Sequence, residues 1–183
     1  MSTYVILLRA VNVGGNGKLS MADFRKILSA LKFQNVETYI QSGNAVVDSD
    51  LPAAKVGASI AAALEKLTGA PVDVILRTHD QLDKLIRANP FPAEAADGAR
   101  VHVAFLSAPA APTARAALDA IVEKYPSRRD RYHLAGDHIY FHFPEGAGET
   151  KFTGKALDKA IGAVGTGRNW NTVLKLHAMS KRR

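Results

Sequence analysis

The most constraining feature of the chain is its opening stretch "TYVILLRAV", residues 3–11, which is rich in large apolar side chains. Side chains in a β-strand point to opposite faces of the sheet in turn. The two faces here are Tyr4, Ile6 and Leu8 on one side, and Val5, Leu7 and Arg9 on the other. A strand that is largely apolar on both faces belongs in the centre of a sheet that is covered on both sides. This stretch therefore predicts a central, buried strand.

The elements of the first half follow in the order strand, helix, strand, strand, helix, strand. Ser20 with Asp23 three residues later forms a capping box that predicts a helix start. A second helix is predicted from about Pro52 to Thr68, where Gly69 stops it. A hairpin with its turn at Ser42-Gly43 joins the two strands between the helices. The order βαββαβ is typical of the ferredoxin-like fold.

The second half repeats the beginning of this order, with a strand at 101–107, a helix at 112–125 and a hairpin around Gly136-Asp137. After a further helix at 153–162, "GTGRNWN" shows no clear strand pattern, and a final helix is predicted from Asn171 to Met179. We therefore predict an α+β fold of two tandem ferredoxin-like (βαββαβ) subdomains. They span residues 1–89 and 90–183, with the second closely packed on the first and ending in an extra C-terminal helix.

The composition of the chain indicates the cellular compartment and the class of partner to expect. The chain has 183 residues, no cysteine and a net charge of +7, and no run approaches the ~18 apolar residues that a membrane span needs. We expect a cytoplasmic monomer with no membrane association and no cofactor. The absence of cysteine excludes disulfides and thiolate metal sites. The positive charge favours an anionic partner, nucleic acid or a phosphorylated small molecule, although colloidal solubility alone would also explain it.

Four motifs stand out together: "LLRAVNVGG", "TYIQSGN", "NPFP" and "RNWNTVLKL". With them the chain resembles the bacterial family known as domain of unknown function (DUF) 1697 over nearly its whole length. The resemblance implies a compact α+β protein of two related ferredoxin-like subdomains. It implies no reaction, because the activity of the family is unassigned. Besides Tyr39 and Asn171, the positions that it marks are the ones we take as candidate ligand-binding residues: Arg9, Asn12, Gly14, Gly15, Gln41, Ser42, Gly43, Asn44, Arg168, Asn169 and Trp170.

The residues themselves support two interpretations of these positions. Gly14 and Gly15 can turn backbone N–H groups toward an anion, or they can simply serve a tight loop; the loop is neither a P-loop nor a dinucleotide fingerprint. Arg9 on a central strand needs an acceptor, which is either a ligand or an internal group. Gln41 is not a residue that a turn demands.

Structural roles and ligand binding are both open for the residues of the "RNWN" stretch. Asn169 or Asn171 can cap the last helix, and Trp170 can anchor that helix on the sheet. Arg168 is freer to pair with an anion or with an acidic side chain.

The second hairpin places Arg131, His133, His138, Tyr140 and His142 on one sheet face, which we predict to be solvated. No short His or carboxylate spacing supports a metal site, and the sequence signature of aromatic RNA-binding sheets is absent. The loop "KYPSRRDR", residues 124–131, carries four cations that could contact phosphates or could be solvated.

The leading hypothesis is a binding protein for an anionic partner. An enzyme acting on a small metabolite with the same residues is the alternative, although no nucleophile and base pair is evident around Ser42. In a third interpretation the marked residues are purely structural.

Overall fold

A computed structural model describes residues 1–12 and 18–181. In that part of the chain it has a mixed α+β architecture with two four-stranded antiparallel sheets and six α-helices. The chain divides into two compact units, one of Met1–Arg87 with Leu174–Arg183 and one of Ala88–Val173. Among the described residues, no helix has the length and apolar character required to cross a membrane.

The first unit contains four strands and three helices that precede residue 88. They are β1 (Ser2–Leu8), α1 (Met21–Ala30), β2 (Gln34–Tyr39), β3 (Asn44–Ser49), α2 (Ala53–Thr68), β4 (Val74–Thr78) and α3 (His79–Arg87). The strand order across the sheet is β2-β3-β1-β4, and every neighbouring pair is antiparallel.

Strand β1 is central and buried on both faces, which confirms the expectation from its two apolar faces. Ile6 and Leu8 belong to a core cluster with Phe24 of α1 and Ile60 of α2. On the opposite face, Val5 and Leu7 are also fully buried. Because each fully buried aliphatic side chain contributes roughly 1.5–3 kcal/mol, this strand carries a large share of the hydrophobic stabilisation of the unit.

Local signals set the helix ends as predicted. The Ser20 hydroxyl accepts a hydrogen bond from the Asp23 amide (2.9 Å) and donates one to the Asp23 carboxylate (2.7 Å), which caps α1. Helix α2 ends where Gly69 adopts φ +74° and donates its N–H to the Glu65 carbonyl (2.8 Å). Glycine reaches this left-handed conformation without steric cost.

The second unit has the same succession of elements. They are β5 (Val101–Leu106), α4 (Ala114–Lys124), β6 (Arg131–Ala135), β7 (His138–His142), α5 (Gly154–Ile161), β8 (Gly165–Asn169) and α6 (Trp170–Ser180). From Leu174 onward, α6 is grouped with the first unit. The strand order is β6-β7-β5-β8, again antiparallel throughout.

The prediction that the second half lacks a clear fourth strand is wrong. Residues 165–169 form β8, which pairs with β5 from Leu106↔Gly165 to His102↔Asn169. Its two glycines and single β-branched residue give it little intrinsic strand preference, so pairing with β5 decides its conformation. The final helix accordingly starts at Trp170, and both units run strand, helix, strand, strand, helix, strand, helix.

The prediction of a solvated hairpin face is wrong at Tyr140, although Arg131 and His133 on that face are exposed. His133 pairs with Tyr140 and Arg131 with His142, so these side chains share a face. Tyr140 on that face is nevertheless fully buried. The neighbouring strand β5 places two more buried apolar side chains, Val103 and Phe105, opposite Tyr140 and His138, so the centre of this face is apolar.

The first hairpin turn is longer than predicted. Strand β2 ends at Tyr39, which pairs with Asn44, so the turn comprises the four residues 40–43 rather than Ser42 and Gly43 alone. We call this segment the 40–43 turn. Gly43 has φ +77°, and its carbonyl accepts a hydrogen bond from the Leu8 amide (2.8 Å). The turn is thereby fastened to the end of β1.

Replacing Gly43 with alanine should strongly destabilise the protein. A Cβ at this position would lie 2.6 Å from Val11 Cγ2 and 2.7 Å from Leu8 Cβ. The left-handed backbone costs about 1–2 kcal/mol for alanine, and overpacking adds about 1–3 kcal/mol. Gly69→Ala is the matched control, because Gly69 has a similar φ and nothing within 4 Å of an added Cβ. Urea denaturation should show a larger loss for Gly43→Ala; equal losses would contradict the packing argument.

Candidate functional site

The side chain of Asn12 joins three segments of the first unit. Its Nδ2 donates to the Leu19 carbonyl (2.8 Å) and to the Gln41 carbonyl (2.8 Å), and its Oδ1 accepts from the Leu19 amide (2.9 Å). Both amide hydrogens are therefore committed within the protein. Asn12 has φ +58°, a conformation that asparagine tolerates better than most residues. Asn12 holds the start of α1 and the 40–43 turn in fixed positions.

Asn44 and Ser42 close the hairpin from inside. Asn44 is fully buried, and its Nδ2 donates to the Tyr39 carbonyl (3.1 Å) and to the Ser42 hydroxyl (2.9 Å). These bonds satisfy a polar group that would otherwise be costly to bury. Together with the close packing of Gly43, they give three of the marked residues in this hairpin a structural role.

Gln41 differs from its neighbours. Its backbone carbonyl accepts from Asn12, but its side chain is exposed and has no hydrogen bond to residues 1–12 or 18–181. The adjacent Ile40 is 49% exposed and has φ +48°, which is unusual for a β-branched residue. The 40–43 turn thus presents an apolar side chain and an uncommitted amide to solvent.

Arg9 is a cation three residues before Asn12. It directly follows β1, its backbone amide donates to the Asp73 carbonyl (3.0 Å), and its side chain is partly exposed. Because Leu8 bonds to Gly43, Arg9 leaves the sheet beside the 40–43 turn. Two further predicted site residues, Gly14 and Gly15, lie outside the described residues.

In the second unit, Arg168 is buried rather than available at the surface. It is 7% exposed, and its Nη1 donates to the Thr166 hydroxyl (2.8 Å) and to the Gly167 carbonyl (2.8 Å). Burial lowers the pKa of Arg168 to about 10, because desolvation penalises the charged form. The guanidinium stays protonated at neutral pH and is held by internal acceptors.

The rest of the "RNWN" motif starts the last helix. Asn169 Oδ1 accepts from the Thr172 amide (2.9 Å), so of the two candidate caps Asn169 provides the cap. Trp170 is 5% exposed, and its amide donates to the Gly98 carbonyl (3.0 Å). A Cβ on Gly98 would overlap the Asn171 amide. The sequence interpretation missed Gly98, because one glycine in a Pro- and Ala-rich connector carries no distinguishing signal.

The first unit contains a strand–helix junction like that of Arg168 and Asn169, which the sequence interpretation also missed. Arg77 on β4 is 7% exposed and donates Nη1 to the carbonyl of the preceding residue, Leu76 (2.8 Å), as Arg168 does to Gly167. Thr78 then caps α3 through a reciprocal pair with Gln81, with distances of 2.8 and 3.3 Å. Arg77 and Arg168 pair with Val5 and Val103 at matching positions of β1 and β5. The shared signal is an arginine followed by a capping residue at a strand–helix junction.

The basic loop at 124–131 is largely charge-paired. Arg128 lies 3.7 Å from Glu149, Arg129 lies 2.5 Å from Glu145, and Arg131 pairs with Glu94. The Arg131 side chain also lies over the ring of Phe91, 5.0 Å from its centroid. The hydrogen bond from Arg131 lowers the pKa of the Glu94 carboxyl. The Arg129 and Arg131 side chains are exposed, and exposed pairs contribute little to stability; all three pairs reduce the charge that the loop offers to phosphates.

No group of three or more histidine, cysteine or acidic residues with the geometry to hold a metal ion occurs in residues 1–12 and 18–181. The structure brings Asn12, Gln41, Ser42, Gly43 and Asn44 together in the first unit. It places the marked positions 168–170 at a strand–helix junction of the second.

The fold and these positions define a two-unit α+β protein in which most marked polar residues secure a turn or a helix cap. The family described as "Protein of unknown function (DUF1697)" matches residues 1–140, and the chain belongs to this family. A search of curated proteins finds no match.

Among solved structures, the chain is similar to the conserved bacterial protein SP0830 from Streptococcus pneumoniae. The two share 22% sequence identity with a TM-score of 0.68, over 98% of this chain and 99% of that one. At this identity the similarity concerns the fold alone.

Loss of the Asn12 side chain should destabilise the first unit. Asn12→Gly keeps the left-handed backbone accessible but removes three hydrogen bonds, so we expect a loss of about 1–2 kcal/mol in the free energy of unfolding. Asn12→Asp keeps the acceptor for Leu19 and places a carboxylate against two carbonyls, so it should be at least as destabilising. Urea denaturation checks both variants. A stability equal to wild type in both would show that the three bonds contribute nothing.

His102 should make stability depend on pH. Burial lowers the pKa of His102 below its ordinary value of about 6.5, so the unfolded chain takes up a proton more readily than the folded protein. Stability should therefore fall as the pH decreases through this region. His102→Phe should reduce the fall between about pH 7 and pH 5, whereas His133→Phe at an exposed position serves as the control. Identical pH profiles for His102→Phe and wild type would contradict the assignment.

Proposed function

We propose that the protein binds an anionic partner, a nucleic acid or a phosphorylated small molecule, at the 40–43 turn beside Arg9. The observation that carries this proposal is that the side chain of Gln41 is exposed and makes no hydrogen bond to the described residues. Asn12 and Asn44 use their amides to fix the turn, whereas the Gln41 side chain is exposed and uncommitted among the described residues. A rigid support beneath an available donor is the arrangement that binding sites need, because less ordering is required on association.

The conformation of Ile40 supports the same location. A β-branched residue with φ +48° is strained by about 1–3 kcal/mol, and such strain persists only where surrounding contacts impose it. Exposing nearly half of this apolar side chain gives no stability in return. Contact with a partner would bury it.

Cations flank the turn. Arg9 leaves β1 next to it, and Lys18 precedes Leu19, which Asn12 holds. Lys18 is exposed and forms no ion pair within the described residues. With the net charge of +7, these side chains favour phosphate or carboxylate groups over neutral ligands.

The finer aspects of the architecture belong to the same proposal. We infer that each unit is a ferredoxin-like subdomain and that the protein is cytoplasmic and monomeric. The first inference is supported by the element order and by the central position of the first and third strands of each sheet. Domain limits of 1–89 and 90–183, with close packing between them, stay predictions.

Binding should be measured by fluorescence anisotropy with labelled single-stranded RNA and DNA oligonucleotides, and by competition with inorganic phosphate. We expect binding that weakens as salt rises, since counterions are released on association. Arg9→Ala should lower the salt slope by about one, and Gln41→Ala should weaken binding about tenfold. Lys55→Ala and Gln34→Ala, at exposed positions of α2 and β2, are the matched controls.

The absence of binding to all three probes at low salt would sink the proposal. Arg9→Ala and Gln41→Ala variants that bind normally but melt at lower temperature would assign both residues to the structure. If the same variants stay folded, bind no polyanion and lose an activity found by substrate screening, the alternative of an enzyme acting on a small metabolite is favoured.

A further inference from the structure

A pocket of about 600 Å³ lies in the first unit at the end of the sheet opposite to the 40–43 turn. Its lining includes Thr3, Asn35, Glu37, Asp48, Met179 and Lys181. Thr3 is at the start of β1, whereas Arg9 follows its end, so the pocket is separate from the site proposed above. A volume of this size is within the range of small-molecule sites.

The sheet forms one wall of the pocket. Thr3 and Asp48 pair directly across β1 and β3, and Glu37 of β2 pairs with Val46 of β3. These residues alternate with Tyr4 and Val47, which face the helix-side core. The pocket therefore occupies the face of the sheet that α1 and α2 do not cover.

The end of α6 supplies Met179, and Lys181 directly follows the helix. Contacts with α3 hold this helix end in place. His79 Nδ1 lies 3.0 Å from the Ser180 hydroxyl, and the His79 and His177 rings stack at 4.4 Å. His177 Nε2 also lies 3.3 Å from the Asp83 carboxylate. Lys181 is thus presented by an anchored helix end.

Asp48 is oriented by two neutral donors. Its Oδ1 accepts from the Thr3 hydroxyl (2.6 Å) and its Oδ2 from the Asn35 amide (2.7 Å). A bulge in β2 between residues 34 and 37, with Asn35 at φ +50°, brings that amide to the carboxylate. Each carboxylate oxygen keeps a further lone pair for a ligand.

The charges around the pocket do not neutralise one another. Within the described part of the chain, Glu37 and Lys181 form no side-chain hydrogen bond or ion pair, and Asp48 pairs with no cation. Two carboxylates of the sheet wall therefore border the pocket together with the Lys181 ammonium. The Met1 ammonium also borders it and pairs with Asp50 (3.1 Å), which lies outside the lining. The Met179 side chain adds an apolar surface.

We propose that this pocket binds a zwitterionic amino-acid-like ligand. The ammonium group of the ligand contacts Asp48 and Glu37, its carboxylate contacts Lys181, and an apolar stem packs on Met179. This assignment uses every unpaired charge of the lining and explains why both signs occur in it. It is independent of the anionic partner, since it involves other residues of the same unit.

The probe that tests the proposal is 6-aminohexanoic acid, which carries both charged groups on an apolar chain. Hexylamine lacks the carboxylate, and hexanoic acid lacks the ammonium group. Titration of the ¹⁵N-labelled full chain to about 10 mM ligand, followed by NMR, detects weak binding. We expect 6-aminohexanoate to shift the amide signals of Thr3, Val46 and Met179, and each single-charge compound to bind about tenfold more weakly.

Two variants, with one control, test the contacts of Glu37 and Lys181 with the ligand one at a time. Glu37→Gln and Lys181→Met should each weaken 6-aminohexanoate binding about tenfold, because each removes one charge-assisted contact. Glu37 is exposed and unpaired among the described residues, so its variant is expected to fold normally. Lys175→Met, which removes an exposed charge of α6 outside the pocket, should leave binding unchanged.

Three results would overturn the proposal. One is the absence of any shift with 6-aminohexanoate, and another is hexylamine binding as tightly as the zwitterion. The third is an equal loss of binding in Lys175→Met and Lys181→Met, which would indicate unspecific charge attraction. None of these results bears on oligonucleotide binding at the 40–43 turn.

Discussion

The burial of β1 on both faces is the constraint on which the first unit depends. Ile6 and Leu8 pack with the helices on one side while Val5 and Leu7 are buried on the other, so the strand must lie in the interior of the sheet. Both edges of β1 are then occupied by β3 and β4, which satisfies its backbone hydrogen bonds. The central place of β1 also positions two features at its ends. These are the 40–43 turn, which bonds to Leu8, and the Thr3–Asp48 contact.

The marked family positions therefore differ in physical role, although they are adjacent in sequence. Asn12, Gly43 and Asn44 form internal contacts whose loss affects folding, and Arg168 and Asn169 do the same at the junction of β8 and α6. Gln41 makes no side-chain contact of this kind with the described residues. This difference between the marked residues makes the site testable. A substitution at Gln41 can change binding without changing stability, whereas a substitution at Asn44 changes stability as well.

Much of the fold could be predicted because its signals are local. The cap at Ser20, the helix stop at Gly69 and the turn at Gly136-Asp137 depend on the conformational preferences of single residues. Strand β8 could not be predicted, because "GTGRN" has no apolar pattern and becomes a strand only through pairing with β5. The internal roles of the marked residues could not be predicted: Arg168, expected to be available to a ligand, is buried among internal acceptors. The pocket between the sheet and the end of α6 had no sequence signal, since its lining comes from separate segments.

The sequence by itself determined the succession of strands and helices over most of the chain, the central place of β1 and the residues that mark the family. These properties follow from alternation, capping and turn preferences, which act over a few neighbouring residues. Only the tertiary structure decided which polar side chains form hydrogen bonds within the protein. It also decided that residues 165–169 form a strand and that Asp48, Glu37 and Lys181 border one pocket. Those outcomes depend on contacts between residues far apart in the chain, which no local pattern encodes.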